Sequence, residues 1–229
     1  MHTVEWNDGS WLNPPAEVEF QSGQMVVTAI KDSDFWRNTS YGFVHHSAHA
    51  LLIDFPDKSA IEVSFILDFD QLWDQAGLVI YANEEHWTKA GIEYADGSLQ
   101  IGAVVTDVNS DWSTAPITQW FGHEVAFRAS RQGNAVTVRA KCDGLGVSWQ
   151  LVRLFPINQD LIWRAGPHLA APSREGLKVR FTRFVRAKGL HHRASVIVYK
   201  KLQDLPTPNA DESCRMPPSL VSLNLNEAY

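Results

Sequence analysis

The sequence predicts an all-β protein, an antiparallel sandwich of two packed sheets. Three observations carry that reading. Apolar and polar residues alternate with period 2 in segment after segment. Gly, Asn and Asp residues separate those segments, and no long stretch repeats at helical spacing. The length of 229 residues suits one sandwich domain, because all-β domains often run past about 200 residues.

Taken in order, 25–30 and 50–55 are short strand candidates. In 59–70, Ile61, Val63, Phe65, Leu67 and Phe69 alternate with partners such as Glu62, Ser64 and Asp68, so one face is buried. Val125, Phe127 and Ala129 repeat the pattern. Gly133-Asn134 marks a turn into Val136, Val138 and Ala140. Val147, Trp149 and Leu151 alternate next, which assigns Trp149 to the core. Leu177, Val179 and Phe181 oppose Lys178, Arg180 and Thr182, and 194–199 is a late strand. Trp120 and Trp163 flank strand-like segments and read as packing. Trp6 and Trp11 sit in an entry segment beside Asn13-Pro14-Pro15, placed to cover a sheet edge. The sandwich domain is assigned to 1–204 and an irregular, Pro-containing tail to 205–229.

The segment 73–106 is the most informative. Asp96-Gly97 between two alternating runs is a strong hairpin signal. A two-residue turn pairs Tyr94 with Leu99, Glu93 with Gln100 and Gly91 with Gly102. A three-residue loop, Asn83-Glu84-Glu85, pairs Tyr81 with Trp87, Val79 with Lys89, Gly77 with Gly91 and Gln75 with Glu93. One face then carries Ala76, Leu78, Ile80, Ile92, Tyr94, Leu99, Ile101, Ala103 and Val105 and belongs to the core. The other carries the row Gln75, Glu93 and Gln100, the glycine row Gly77, Gly91 and Gly102, and beyond it Val79, Lys89, Val104, Tyr81 and Trp87. Glycine weakens a strand, so a row of it needs a reason. Close approach by a ligand or another backbone is one; strong sheet curvature with nothing bound is the other.

Composition excludes several classes. The chain has 20 Lys plus Arg and 26 Asp plus Glu, a formal net charge of −6. Without a basic block it is a poor partner for nucleic acid. No run of about 18 apolar residues predicts a membrane helix. The start, Met1-His2-Thr3-Val4, lacks a basic and apolar leader, and the two cysteines, Cys142 and Cys214, do not suggest a disulfide. Both point to a cytoplasmic setting. His45-His46 with His49, and His191-His192, read as surface or core groups rather than metal ligands. Asp68-x-Asp70-x3-Asp74 lacks the glycine and terminal Glu of a calcium loop. No metal and no cofactor is expected.

Asp34-Phe35-Trp36-Arg37-Asn38-Thr39-Ser40-Tyr41-Gly42-Phe43, Asp74-Gln75-Ala76-Gly77-Leu78, Trp87-Thr88-Lys89-Ala90-Gly91-Ile92-Glu93-Tyr94 and Ser110-Asp111-Trp112-Ser113 form a specific combination. It resembles the regulation-of-enolase family of the concanavalin A-like lectin/glucanase superfamily, over about residues 5–190. The resemblance implies a jelly-roll sandwich whose concave sheet matches the polar, glycine-floored face. It also implies a regulatory link to a glycolytic enzyme, with enolase as a protein partner, and a fold whose relatives often bind or cleave sugars.

Sugars present flat C–H faces and a rim of hydroxyls, which aromatic rings and polar side chains complement. The ligand-binding candidates are therefore Gln75, Lys89, Glu93 and Gln100, flanked by Tyr81 and Trp87, with Trp36, Arg37, Tyr41 and Trp112 joining from loops. The bland alternative is a solvated face with a Lys89–Glu93 surface pair. Hydrolysis needs two carboxyl groups, about 5–5.5 Å or about 6.5–9.5 Å apart. Glu93 is the single carboxylate that the register places on the floor, with Asp111 within reach from its loop. The expectation is a non-catalytic protein that binds a carbohydrate or similar polar metabolite. A regulator acting by protein contact and a glycan-cleaving enzyme using Glu93 are the alternatives.

Overall fold

The computed structural model describes residues 1–188. The late strand expected at 194–199, the tail at 205–229, His191-His192 and Cys214 lie outside the described residues. The strands are β1 (His2–Thr3), β2 (Ser10–Leu12), β3 (Glu17–Gln21), β4 (Gln24–Thr28), β5 (Phe35–Arg37), β6 (Val44–His46), β7 (His49–Asp54), β8 (Ser59–Ile66) and β9 (Gln75–Asn83). They continue as β10 (His86–Ala95), β11 (Ser98–Asp107), β12 (Asn109–Pro116), β13 (Glu124–Gln132), β14 (Ala135–Cys142), β15 (Val147–Pro156), β16 (Arg164–Ala170) and β17 (Lys178–Lys188). Short 3₁₀ turns are the helical elements among the described residues.

Two large antiparallel sheets form the sandwich. One runs β15-β14-β13-β8-β17-β4-β3 with β1 on β17, and the other runs β12-β11-β10-β9-β16-β7-β2. Their inner faces meet in one apolar core that includes Val63, Phe65, Leu78, Ile92, Phe127, Val138 and Phe181. Phe65 lies 6.2 Å from Phe127 and 6.0 Å from Phe181, ring to ring. Each such side chain contributes about 1.5–3 kcal/mol through burial. The alternation read in 59–70 holds: Ile61, Val63, Phe65 and Leu67 are fully buried. Trp120 and Trp163 also belong to this core. Trp11 lies on the edge strand β2, and Trp6 stacks on Phe184 at 5.8 Å.

Trp149 is a correction. It faces outward, with the Arg128 guanidinium 4.1 Å above its ring and the Lys141 ammonium 5.2 Å away. The reason is a register irregularity. Cys142 pairs with Val147 but Ala140 pairs with Gln150, so β15 carries an extra residue there. A bulge of this kind reverses the in–out phase, and Leu151 beyond it is exposed.

The register of β9, β10 and β11 follows the sequence reading. Gly91 pairs with Gly77 and Gly102, Glu93 with Gln75 and Gln100, and Trp87 with Tyr81. Asp96 and Gly97 have φ of 52° and 74°, as a type I′ hairpin turn requires. The β9–β10 turn closes one residue tighter than expected. Asn83 pairs with His86, and an irregularity at His86/Trp87 restores the register.

The glycine row has a structural cause. A Cβ on Gly91 would lie 2.2 Å from the Ala76 carbonyl oxygen, and one on Gly77 would lie 2.2 Å from that of Ala90. On Gly102 it would meet the Ser113 carbonyl oxygen at 2.2 Å. Of the two explanations that involve close approach, the neighbouring strand's backbone is the one that needs these glycines.

A third element decides the site. β5 and β6 form a two-stranded hairpin outside both sheets, and it packs on the outer face of the seven-stranded sheet. Phe35 and Trp36 join Leu52, Val79, Tyr81, Trp87, Val104 and Ala170 in a second, smaller apolar cluster. The hairpin is tied down at its far end. Arg37 N–H donates to Ser110 Oγ at 3.0 Å, and the Arg37 guanidinium meets Glu85 Oε1 at 2.6 Å.

Candidate functional site

The hairpin covers part of the outer face and leaves the rest as a cavity of about 430 Å³. Its walls are aromatic: Trp36, Tyr41 and Phe43 from the hairpin side, Trp73 from the segment before β9, and Trp112 from β12. Trp112 meets Trp36 edge-to-face at 6.3 Å and tilts against Trp73 at 6.4 Å. Tyr41 stacks on Phe43 at 5.5 Å, and both rings are largely exposed at the rim. Trp73 adopts φ 66°, a left-handed conformation that side-chain-bearing residues seldom hold. Its backbone N–H donates to the Tyr94 carbonyl at 2.8 Å, which anchors that turn.

The floor is polar. Lys89 sits in the centre of β10 with its side chain 7% exposed, and Nζ donates to Asp34 Oδ1 and to Gln75 Oε1, each at 2.8 Å. Gln75 Nε2 also donates to Asp34 Oδ1 at 3.3 Å. Asp34 is held by its own backbone neighbours. Its Oδ1 accepts from Phe35 N–H at 2.7 Å, and its carbonyl accepts from Ser47 N–H and Ala48 N–H at 2.9 and 3.0 Å. The buried cation is therefore neutralised by a carboxylate that arrives with the hairpin. The Lys89–Glu93 pair of the solvated-face alternative is replaced by Lys89–Asp34.

Glu93 lines the same cavity. Burial pushes its carboxyl up to about 7; Lys89 pulls it down, and Asp34 and Asp96 push it further up. Behind Glu93 the cavity continues into a hollow of about 20 Å³ lined by Gln75, Lys89, Glu93, Gln100 and His168. That is room for one water or one hydroxyl group. His168 lies on β16 opposite Gly77. Burial, reinforced by Lys89, holds its imidazole down at about 3, so it is neutral. Its Nδ1 is buried without a hydrogen-bond partner among the described residues.

The structure thus brings Trp36, Tyr41, Gln75, Lys89, Glu93 and Trp112 together around one cavity, with Gln100 at its inner end. Three ligand-binding candidates lie elsewhere. Trp87 is 1% exposed and Tyr81 6% exposed, because Phe35 and Trp36 of the hairpin cover them; the Phe35 and Trp87 rings are 5.3 Å apart. Arg37 faces Glu85 and fastens the hairpin. Asp111 points away, paired with Arg153 at 2.6 Å. Glu93 is not the lone carboxylate, since Asp34 shares the floor and Asp32 lines the rim.

The residues that sequence reasoning missed are Asp32, Asp34, Phe43, His45, Trp73, Pro172 and His168. Asp34 and Phe43 stand in the first family-like motif, so that motif carried a signal for both. His168 carried none, because a histidine within an apolar strand reads as core. His49 is structural: Nδ1 faces the Asn13 carbonyl at 2.8 Å and Nε2 accepts from Ile30 N–H at 2.9 Å. Among the described residues no group of three or more His, Cys, Asp or Glu side chains could hold a metal ion. None of the described helical elements is long and apolar enough to cross a membrane.

Comparison with known proteins places this geometry. A protein named regulation of enolase protein 1, from Saccharomyces cerevisiae, is 33% identical over 179 residues, 78% of this chain and 89% of the relative. The crystal structure of a functionally unknown protein from Saccharomyces cerevisiae superposes with a TM-score of 0.76 at 32% identity, covering 82% of this chain and all of that one. A xylan β-1,4-xylosidase from Bacillus halodurans C-125 superposes with a TM-score of 0.58 at 15% identity, over 73% of this chain and 33% of the enzyme, a likeness of fold alone. A family described as a protein of unknown function (DUF1349) matches residues 11–188. With the match covering most of its length, the chain belongs to the DUF1349 family and is a relative of the yeast regulation of enolase protein 1.

Proposed function

We propose that the protein is a non-catalytic binding protein whose cavity takes a carbohydrate or a similar small polar metabolite. The observation that carries this reading is the pairing of an aromatic wall, Trp36, Trp73 and Trp112, with a polar floor, the buried Gln75 and Lys89 and the half-buried Glu93, in one cavity of about 430 Å³. Pockets of about 300–1,000 Å³ suit small ligands. The rings cover a ligand's C–H faces, and the floor exchanges hydrogen bonds with its hydroxyls. Titration calorimetry with a panel of monosaccharides and sugar phosphates tests it. Binding that is lost in Trp112→Ala supports the reading. An absence of heat with every member at millimolar concentration overturns it.

A second reading has its own support. The yeast relative carries a name that refers to the regulation of enolase, which favours action on a glycolytic enzyme through protein contact. Tyr41 and Phe43 are exposed at the cavity rim, 58% and 42%, and offer an apolar contact surface. Co-purification of enolase with the native protein, lost in Tyr41→Ala/Phe43→Ala, supports it. Failure of the native protein to retain enolase counts against it.

A further inference from the structure

The charge of the cavity narrows the class of ligand. Four of its lining residues are Asp, Glu, Lys or Arg: Asp32, Asp34, Lys89 and Glu93. Lys89 is the one cation of this set, and both of its bonds at 2.8 Å go to protein atoms, Asp34 Oδ1 and Gln75 Oε1. Two of its three N–H donors are taken by the protein, which leaves at most one for a phosphate or carboxylate of a ligand; His45 is the other basic side chain on the cavity. Asp34 takes the direct contact with Lys89, so Asp32 at the mouth and Glu93 on the floor have no ion-pair partner among the described residues, and Lys89 acts on Glu93 only through space. An anion entering this space would face two carboxyl groups and a lysine with two of its three donors already used. An ammonium would have carboxyl groups below and tryptophan rings on the walls, groups that attract cations.

We propose, resting on the small-ligand reading above, that the cavity selects a positively charged ligand, an amine-bearing sugar or a comparable organic ammonium compound. The charged group sits between Glu93 and the Trp36, Trp73 and Trp112 rings. One hydroxyl fits the inner hollow, which Gln75, Gln100 and His168 line. Glu93 fits this task. Its carboxyl, raised to about 7 by burial, is converted to the charged form when an ammonium arrives, because a nearby opposite charge favours ionisation.

The test uses ligands matched in shape and different in charge. Calorimetry of the full chain compares glucosamine, glucose and glucuronate below the pKa of the amine, and choline with its uncharged carbon isostere. The expected result is glucosamine binding about tenfold tighter than glucose, glucuronate weaker than both, and Glu93→Gln narrowing the glucosamine preference. Equal binding of glucose and glucosamine, or tightest binding of glucuronate, overturns the charge selection and leaves the sugar-binding reading standing. Binding of choline but of no sugar supports the charge selection and overturns the sugar. No binding by any of the five compounds overturns both.

Discussion

Lys89 Nζ and Asp34 Oδ1 lie 2.8 Å apart although 55 residues separate them in the chain. The contact joins the middle of the seven-stranded sheet to the base of the β5–β6 hairpin. It fixes the place where the hairpin stops covering the sheet and the cavity begins.

Removing one partner of this pair should be costly. Lys89→Met leaves the Asp34 carboxylate beside an apolar chain and should lower stability by about 3 kcal/mol. Asp34→Asn keeps an acceptor for Phe35 N–H and should cost less. Urea unfolding of both variants and of the double variant measures the coupling. Additive effects would show that the pair does not act as a unit.

Trp87 and Trp112 should separate packing from binding. Trp87→Ala empties a site in the second apolar cluster and should destabilise by about 3–5 kcal/mol. Trp112→Ala removes a half-exposed wall, so the larger effect should fall on ligand affinity. Thermal unfolding and calorimetry of the two variants, run side by side, check the contrast.

Gly91 allows no side chain. Its Cβ position lies 2.2 Å from the Ala76 carbonyl oxygen and 2.9 Å from Gly77 Cα. Backbone cannot swing aside as a long side chain can. Gly91→Ala should therefore cost about 3 kcal/mol or more, measured by urea unfolding.

Stability should fall as pH rises through the titration of Glu93. Its folded pKa is raised to about 7 from 4.5, so the folded state holds a proton that the unfolded state has released. The contribution is fully present below the unfolded value and is lost between about pH 4.5 and about pH 7. That shift corresponds to a loss of about 3 kcal/mol. Glu93→Gln should remove this part of the slope and be more stable than the native protein at pH above about 7. An unchanged unfolding profile in Glu93→Gln would place the titration elsewhere.

Trp149 should behave as a surface residue. Its ring is covered by Arg128 at 4.1 Å, an interaction worth about 1 kcal/mol. Trp149→Ala should cost little more than that, well short of a core tryptophan.

Much of this was legible from local pattern. The Asp96-Gly97 turn with alternation on both sides determined which residues of 75–105 face the core and which share a row. Hairpin register depends on neighbours in sequence, so one sequence suffices. Trp149 shows where local alternation fails. The extra residue at a bulge is invisible in composition: the first shift turns Leu151 outward, and a second, between Val138 and Arg139, restores the phase so that Phe155 returns to the core.

By itself the sequence determined the all-β class, the β9–β10–β11 register and the row that holds Gln75, Glu93 and Gln100, because alternation reports which side of a strand each residue occupies. Only the tertiary structure decided what covers that side. The chain folds β5 and β6 back over the outer face, buries Trp87 and Tyr81, and brings Asp34 to Lys89. A strand's periodicity records that a face is apolar or polar, whereas the element that packs on it comes from a distant part of the chain and leaves no local trace. The nine Trp of the sequence accordingly divide by long-range contact, with Trp36, Trp73 and Trp112 walling the cavity and Trp87 buried beneath the hairpin.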